Sequence, residues 1–285
     1  MVIVQLKGGL GNQMFQYAAA RRLAAEHGIE LKLDLSFLEA ETVQHTKRDF
    51  ELYKLNINAG IATRKEIQAI KKKRWKNLFC PALIKDKGVA DFSKKVTRCS
   101  DHVYLDGYWQ SEKYFKSISP VIRNEFTFKQ PLAKDYFLNI KHQIENSNSI
   151  SLHFRRGDYV DNPKTNKYHG VSSLNYYQKA VERITKKINN PTLFIFSDDI
   201  QWVMAHFKSE HPIVFIKQSD EGLHSDFRLM SICKHNVIAN SSYSWWAAWL
   251  NENENKTVIA PKKWYEHQPS QDHVSDLLPR EWITL

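Results

Sequence analysis

Along most of this 285-residue chain a short run of aliphatic and β-branched residues leads through a turn into a longer stretch of helical periodicity, and the pattern repeats. Strand, helix and strand in succession place the strands parallel, because a crossover helix returns the chain to the same edge of the sheet. In the N-terminal half, strand Val2–Leu6 feeds a helix over Asn12–Glu26 ended by Gly28, then strand Glu30–Asp34. A basic amphipathic helix over Arg64–Trp75, a strand over Val103–Gly107 and a helix over Ser111–Phe115 follow, with Pro120 interrupting the last or starting another. Residues 129–149 are polar and Asn-rich near their end, which places a domain boundary at 148/149.

The C-terminal half is more regular. Strands are expected at Ile150–Phe154, Thr192–Phe196, Ile213–Ile216, Asn236–Ala239 and Thr257–Ala260. Helices are expected between them at Leu174–Ile188, Ile200–Lys208, Asp226–Cys233 and Tyr243–Leu250. Five short apolar strands separated by helices describe a doubly wound parallel sheet buried on both faces, an α/β fold. Ligands of such sheets bind beyond the carboxyl ends of the strands, so the residues after each strand carry the functional reading.

Composition narrows the class. With 42% hydrophobic residues and a mean hydropathy of −0.52, the chain is neither disordered nor collagen-like. No run approaches the roughly 18–20 apolar residues of a membrane span, the most apolar tract being Ser244–Leu250, and the N-terminus opens on a strand rather than an export signal. Cys80, Cys99 and Cys233 are odd in number and widely spaced, as expected of reduced thiols in the cytoplasm. A net charge of +10 implies an anionic partner: nucleic acid, an anionic membrane surface or a phosphorylated substrate.

Beyond strand Ile150–Phe154 come Arg155, Arg156, Gly157 and Asp158, preceded by His153. Guanidinium forks match phosphate oxygens and stay charged, which suits a diphosphate; the alternative is a salt bridge from either arginine to Asp158. Beyond strand Asn236–Ala239, the segment Asn240-Ser241-Ser242 opens a helix, where free amides and hydroxyls suit an anion and where simple N-capping is the structural alternative. Trp245, Trp246 and Trp249 behind it fit core packing. The loop Gly8-Gly9-Leu10-Gly11-Asn12-Gln13 after the first strand matches neither a dinucleotide nor a Walker pattern; it allows close backbone approach, with Asn12 and Gln13 as polar arms. Ser197-Asp198-Asp199 reads as an N-cap rather than a cation site, and the 12 histidines lack metal-binding spacing, so no metal is expected. The basic run Lys71–Lys76, with Trp75, is a solvated helix face, a polyanion contact or a membrane contact.

Taken together, Gly8–Gln16, His153–Tyr159, Phe196–Asp199 with Trp202, and Asp226–Ser231 running into Asn240–Trp246 resemble the α-1,2-fucosyltransferase family, glycosyltransferase family 11, in its bacterial form. The resemblance implies two Rossmann-like domains facing each other across a cleft, the glycosyltransferase-B fold, with an acceptor-side domain at 1–148 and a GDP-fucose domain at 149–285. It implies inverting transfer of L-fucose from GDP-β-L-fucose to O2 of a terminal β-galactose, as in O-antigen synthesis, without a metal. The acceptor is a galactose-terminated oligosaccharide or lipid-linked glycan. Such an enzyme is expected in the cytoplasm, in peripheral contact with the inner face of the membrane and without nucleic acid as partner.

Position by position, the resemblance places Arg156 on the diphosphate with Arg155 beside it, His153 and Asp226 near guanine, and Ser241 and Ser242 on phosphate. Gly9, Gly11, Asn12 and Asn240 complete the donor set. Arg156, Asp158 and Asp161 are the catalytic candidates, the two aspartates as acceptors of the hydroxyl proton; related α-1,6 enzymes carry a glutamate further along this loop, where this chain has Pro163. Two readings compete: a fucosyltransferase of other linkage or acceptor, and a basic nucleic-acid-binding protein using Lys71–Lys76.

Overall fold

The computed structural model describes residues 1–40, 48–72, 82–86, 92–93, 96, 102–157, 167, 170–217, 223–266 and 276–285. The chain divides into two compact units, Met1–Gln130 with Ser270–Pro279, and Pro131–Pro269 with Arg280–Leu285.

The first unit holds strands β1 (Val2–Gln5), β2 (Leu31–Asp34), β3 (Gly60–Ile61), β4 (Leu83–Lys85) and β5 (Val103–Asp106), with helices α1 (Leu10–His27), α2 (Ser36–Glu39), α3 (Arg64–Lys72) and α4 (Ser119–Glu125). Its strands pair in the order β3-β2-β1-β5-β4, all parallel. Helix α1 is buried on most of its surface, including Met14, Phe15, Tyr17 and Ala18–Ala20, and small alanines let it lie close to the sheet. Gly28 ends it in the left-handed conformation at φ 60°, the backbone state that glycine adopts without Cβ strain. The helix expected over Ser111–Phe115 is instead two 3-10 turns, Glu112–Tyr114 and Lys116–Ile118, and Pro120 then sits in the first turn of α4, where its missing N–H is harmless.

The second unit holds β6 (Asn148–Phe154), β7 (Pro191–Ser197), β8 (Ile213–Phe215), β9 (His235–Val237), β10 (Val258–Ala260) and β11 (Ile283–Thr284). Its helices are α5 (Asp135–Glu145), α6 (Leu174–Thr185), α7 (Ile200–His206), α8 (Leu223–Ile232) and α9 (Ser242–Leu250). The strands run β11-β10-β9-β6-β7-β8, all parallel, so the sheet has six strands where the sequence suggested five. The boundary falls at 130/131 rather than 148/149. Phe137, Ile140 and Ile144 give α5 a buried stripe that packs on β6 and α8, which takes residues 131–148 into the second unit.

Both sheets are wound outward from a central pair. In the first, the chain moves from β1 to β2 and β3 on one side and then fills the other side with β4 and β5; in the second, β7 and β8 lie on one side of β6 and β9 to β11 on the other. The order therefore reverses between β1 and β5, and again between β6 and β9. A crevice opens beyond the carboxyl ends at such a reversal, because neighbouring crossovers leave on opposite faces.

Candidate active site

Strand β6 sets the geometry of the second crevice through its alternation. Ile150, Leu152 and Phe154 turn to one face and pack with Tyr176, Tyr177, Ala180 and Val181 of α6, each large apolar side chain contributing about 1.5–3 kcal/mol by burial. Phe154 stacks on Tyr177 at 3.8 Å between ring centres, and the Tyr177 hydroxyl donates to the His153 carbonyl at 2.8 Å. Ser149, Ser151 and His153 alternate with these apolar residues. The Ser151 hydroxyl accepts from Asn236 Nδ2 at 2.8 Å, and the Ser149 hydroxyl accepts from the Lys234 amide at 3.0 Å. These bonds fix the end of β6, and with it the position of the two arginines.

Each arginine is held by one of two successive aspartates after β7. A salt bridge of 2.8 Å joins Arg155 to Asp198, whose other carboxylate oxygen accepts the Arg156 backbone amide at 2.7 Å. Arg156 pairs with Asp199 through Nε at 3.2 Å and lies over the Trp202 indole at 3.3 Å, a cation–π arrangement. Trp202 in turn stacks on His206 at 4.3 Å. Among the described residues no side chain takes up the terminal nitrogens of Arg156. Gly157 is a close-approach position, since a Cβ there would stand 2.8 Å from the Asp198 carboxylate. Asp199 also caps α7 by accepting from the Trp202 amide at 3.3 Å, as the N-cap reading expects. Asp158 and Asp161 lie outside the described residues, as do Pro163 and positions 73–76 of the basic run.

Across the reversal, α9 starts at Ser242 with Ser241 as N-cap residue, and the Ser241 side chain makes no capping bond. The first internal bond runs from the Trp245 amide to the Ser241 carbonyl at 3.0 Å, so the amides of Ser242, Tyr243 and Ser244 precede the helix ladder at its positive end. Asn240 differs from expectation. It is buried, donates to the Trp264 carbonyl at 3.1 Å and the Gly170 carbonyl at 3.4 Å, and accepts from the Ser172 hydroxyl at 3.4 Å, so it fastens the loops around the crevice. Trp245, Trp246 and Trp249 are buried in the core, as their spacing suggested. Lys256 closes the far end of α9 by donating to the carbonyls of Ala248 and Asn251.

His153 and Asp226 supply two buried titratable groups. His153 Nδ1 has no hydrogen-bond partner among the described residues; burial first, and then the Arg155 charge, lower its pKa to about 3, so the imidazole is neutral at physiological pH. Its ring lies 5.8 Å from that of Tyr243, which also meets Phe227 at 5.3 Å, and Phe227 is the neighbour of Asp226 on α8. Burial alone raises the Asp226 carboxyl to about 7.

The crevice of the first unit is furnished differently. Gly8, at φ 71°, leads into α1, whose N-cap residue is Gly9; the helix starts at Leu10, two residues earlier than expected, so Gly11 is already helical. Gln13 is not a ligand arm. It is buried and donates to the carbonyls of Gly8 and Asp49, both at 2.8 Å, while accepting from the Glu51 amide at 2.9 Å. Gln16 likewise clamps Lys7, accepting its amide at 2.9 Å and donating to its carbonyl. Asn12 accepts from Gln110 at 2.9 Å. The Glu51 carboxylate accepts the Leu10 amide, so a charge of the protein's own occupies the start of α1. Among the described residues no group of three or more His, Cys, Asp or Glu stands together as a metal-ligand set. Cys233 is a buried thiol and donates to the Leu229 carbonyl at 3.3 Å.

The second reversal thus brings together Arg156, the start of α9 and the ring contacts of Tyr243 with His153 and Phe227. Over residues 1–285 the sequence matches glycosyl transferase family 11, and the chain belongs to that family. It is 36% identical to the O-antigen biosynthesis glycosyltransferase WbnK of Escherichia coli, over 98% of this chain and 99% of that protein. It is 34% identical to an alpha-1,2-colitosyltransferase of Escherichia coli, over 100% and 99% respectively. Similarity extends to the galactoside 2-alpha-L-fucosyltransferase Sec1 of Mus musculus, 26% identical over 88% of this chain and 64% of that protein. The protein is a glycosyltransferase, and each of its two units is a Rossmann-like α/β fold built on a parallel sheet.

Proposed function

We propose that this glycosyltransferase moves L-fucose from GDP-β-L-fucose to O2 of a terminal β-galactose, with inversion, during synthesis of a bacterial surface polysaccharide such as O-antigen. The observation that carries the reading is the set of groups at the ends of β6 and β9. Arg156 is fixed by Asp199 and Trp202, among the described residues no side chain takes up its terminal nitrogens, and the adjacent strand end leads to the start of α9. In this reading Arg156, Ser241 and Ser242 contact the diphosphate. Arg155, tied to Asp198, holds the loop, Asn240 positions the serines, and His153 with Asp226 receives guanine.

Charge development explains how such a site works. As the C1–O bond to fucose breaks, GDP gains negative charge, so the Arg156 fork and the α9 amides bind the transition state more tightly than the ground state. Inversion needs no covalent intermediate, only a carboxylate to take the proton of the attacking hydroxyl, a role given to Asp158 or Asp161. With the Arg156 fork and the start of α9 to receive the diphosphate, the reaction is proposed to run without a metal.

Among the described residues no helix is long and apolar enough to cross a membrane. The proposed location is the cytoplasm, with the net charge of +10 favouring loose contact with an anionic membrane where a lipid-linked acceptor would lie. A colitosyl donor is the second reading, supported by the 34%-identical colitosyltransferase. The test is a transfer assay in EDTA with GDP-fucose or GDP-colitose and a panel of galactosides, with product linkage read by NMR. An α1,2-fucosylated galactoside is the expected product. Transfer only from GDP-colitose would change the donor, and GDP-fucose turnover that requires added Mg2+ would overturn the metal-free mechanism.

A further inference from the structure

The stack beneath Arg156 does not end at Trp202, and its outer member has no part in the proposed reaction. Asp199, Trp202 and His206 stand at i, i+3 and i+7 along α7 and so share one helix face. Asp199 pairs with Arg156 Nε, Trp202 lies under the guanidinium, and the His206 imidazole stacks on Trp202 with the two ring planes 16° apart. The guanidinium carbon is 3.3 Å from the indole ring centre and the imidazole centre 4.3 Å from it. Two groups so close to one ring would overlap if they shared a face, so the indole is held between them.

Little else fixes that indole. Val203 is the one buried residue of α7, and Trp202 is only part-buried against the core. His206, although exposed, is itself oriented: its Nδ1 lies 2.8 Å from the Trp202 carbonyl, and because a carbonyl oxygen only accepts, Nδ1 carries the proton in this arrangement. A histidine donor in the last turn of a helix also stabilises the helix end, which is the structural alternative. That role needs a donor alone. It does not need a ring lying nearly parallel to the indole.

We propose that His206 is a positioning residue of the donor site: by backing the Trp202 indole it keeps the plane on which Arg156 lies, and so sets the direction of the guanidinium toward the diphosphate. The inference rests on the proposed role of Arg156 and deepens it. Asp199 holds Arg156 through Nε only, so it cannot by itself stop the guanidinium from following an indole that turns.

Three exchanges at this exposed position separate stacking from helix-end support. His206→Phe keeps a ring and loses the donor, His206→Gln keeps a donor and loses the ring, and His206→Ala loses both. Two quantities are read on the full-length protein: the Arg156 Nε–H resonance by 15N NMR without ligand, and GDP affinity by calorimetry. In the Ala and Gln variants the resonance should move toward its position in Trp202→Leu, where the indole ring current is gone, and GDP should bind about threefold more weakly. The Phe variant should stay close to the unaltered protein in both. On a Trp202→Leu background, His206→Ala should add no further loss. An unmoved resonance with unchanged affinity in the Ala and Gln variants overturns the proposal. So does the opposite ranking, with Gln tolerated and Phe not, which leaves only helix-end support, and so does a full additional loss on the Trp202→Leu background. If the unaltered protein binds no GDP, the proposed function fails and takes the donor role of His206 with it.

Discussion

At the start of α9 in the second unit the N-cap residue Ser241 makes no side-chain capping bond, and two arginines stand on the next strand end; at the start of α1 in the first unit Glu51 holds the Leu10 amide and Lys7 is paired with Asp106. Both places are reversals of a parallel sheet, built by the same topology. They differ in which charged groups accompany the helix start: two aspartate-paired arginines in the second unit, the Glu51 carboxylate and an aspartate-paired lysine in the first. One winding rule places a crevice beyond each sheet, and the side chains at the two strand ends make the crevices chemically different.

The largest expected effect comes from removing the open fork. Arg156→Ala should lose about 3 kcal/mol or more of transition-state stabilisation in kcat/KM, and Arg156→Lys should recover little of it, because a point charge cannot reproduce paired donors. Near-normal kcat/KM in either variant would remove Arg156 from the donor site. Next comes a pair of glycines that separates the two crevices. Gly157→Ala sets a methyl 2.8 Å from the Asp198 carboxylate and should lower kcat/KM about tenfold by displacing both arginines. Gly9→Ala meets nothing within 4 Å at a negative φ and should change it only slightly. Equal losses from both would break the contrast.

A titration sharpens it further. The folded protein keeps a proton on Asp226 up to about pH 7 that the unfolded chain releases in the usual carboxylate range, so this group makes stability fall as pH rises from about 4 to 7. His153, lowered to about 3, refuses a proton that the unfolded chain takes up near 6.5, so its contribution makes stability rise over about pH 3 to 6.5. The two slopes oppose each other in the unaltered protein. In urea titrations between pH 5 and 7, Asp226→Asn should shift the stability slope upward and His153→Gln downward, each by roughly 1–2 kcal/mol across the interval. Slopes unchanged in both variants would contradict the buried states assigned to them. The smallest effect is expected from Trp202→Leu, which removes the surface beneath Arg156: about 1 kcal/mol in GDP affinity by calorimetry, with the fold intact.

Much of this was legible in the sequence, for a physical reason: buried parallel strands are continuous apolar runs, and nine expected strands and helices of the second unit are found within a few residues of their expected bounds. The carboxyl-edge rule also directed attention to the residues after β6 and β9, because it depends only on strand order. What the sequence hid was non-local. Asp198 and Asp199 are 42 and 43 residues from Arg156, so the partners of the arginines were sought at Asp158 instead. Helix α5 read as a polar linker since only Phe137, Ile140 and Ile144 mark its buried side, and strands of two or three residues at 60–61, 83–85 and 283–284 are too short to show a period. Gln13 looked like a ligand arm because nothing local reveals that Gly8, Asp49 and Glu51 consume its amide.

The measurement that bears most directly on the contrast is a GDP titration of isotope-labelled protein followed by TROSY NMR, with EDTA present throughout. The account predicts saturable shifts in the amides of Arg155–Gly157, Ser241–Ser244 and Asp226, and little change at Gly8–Asn12 or Asp106–Gln110. Shifts concentrated in the Gly8–Asn12 loop, with the amides after β6 and β9 unmoved, would contradict it.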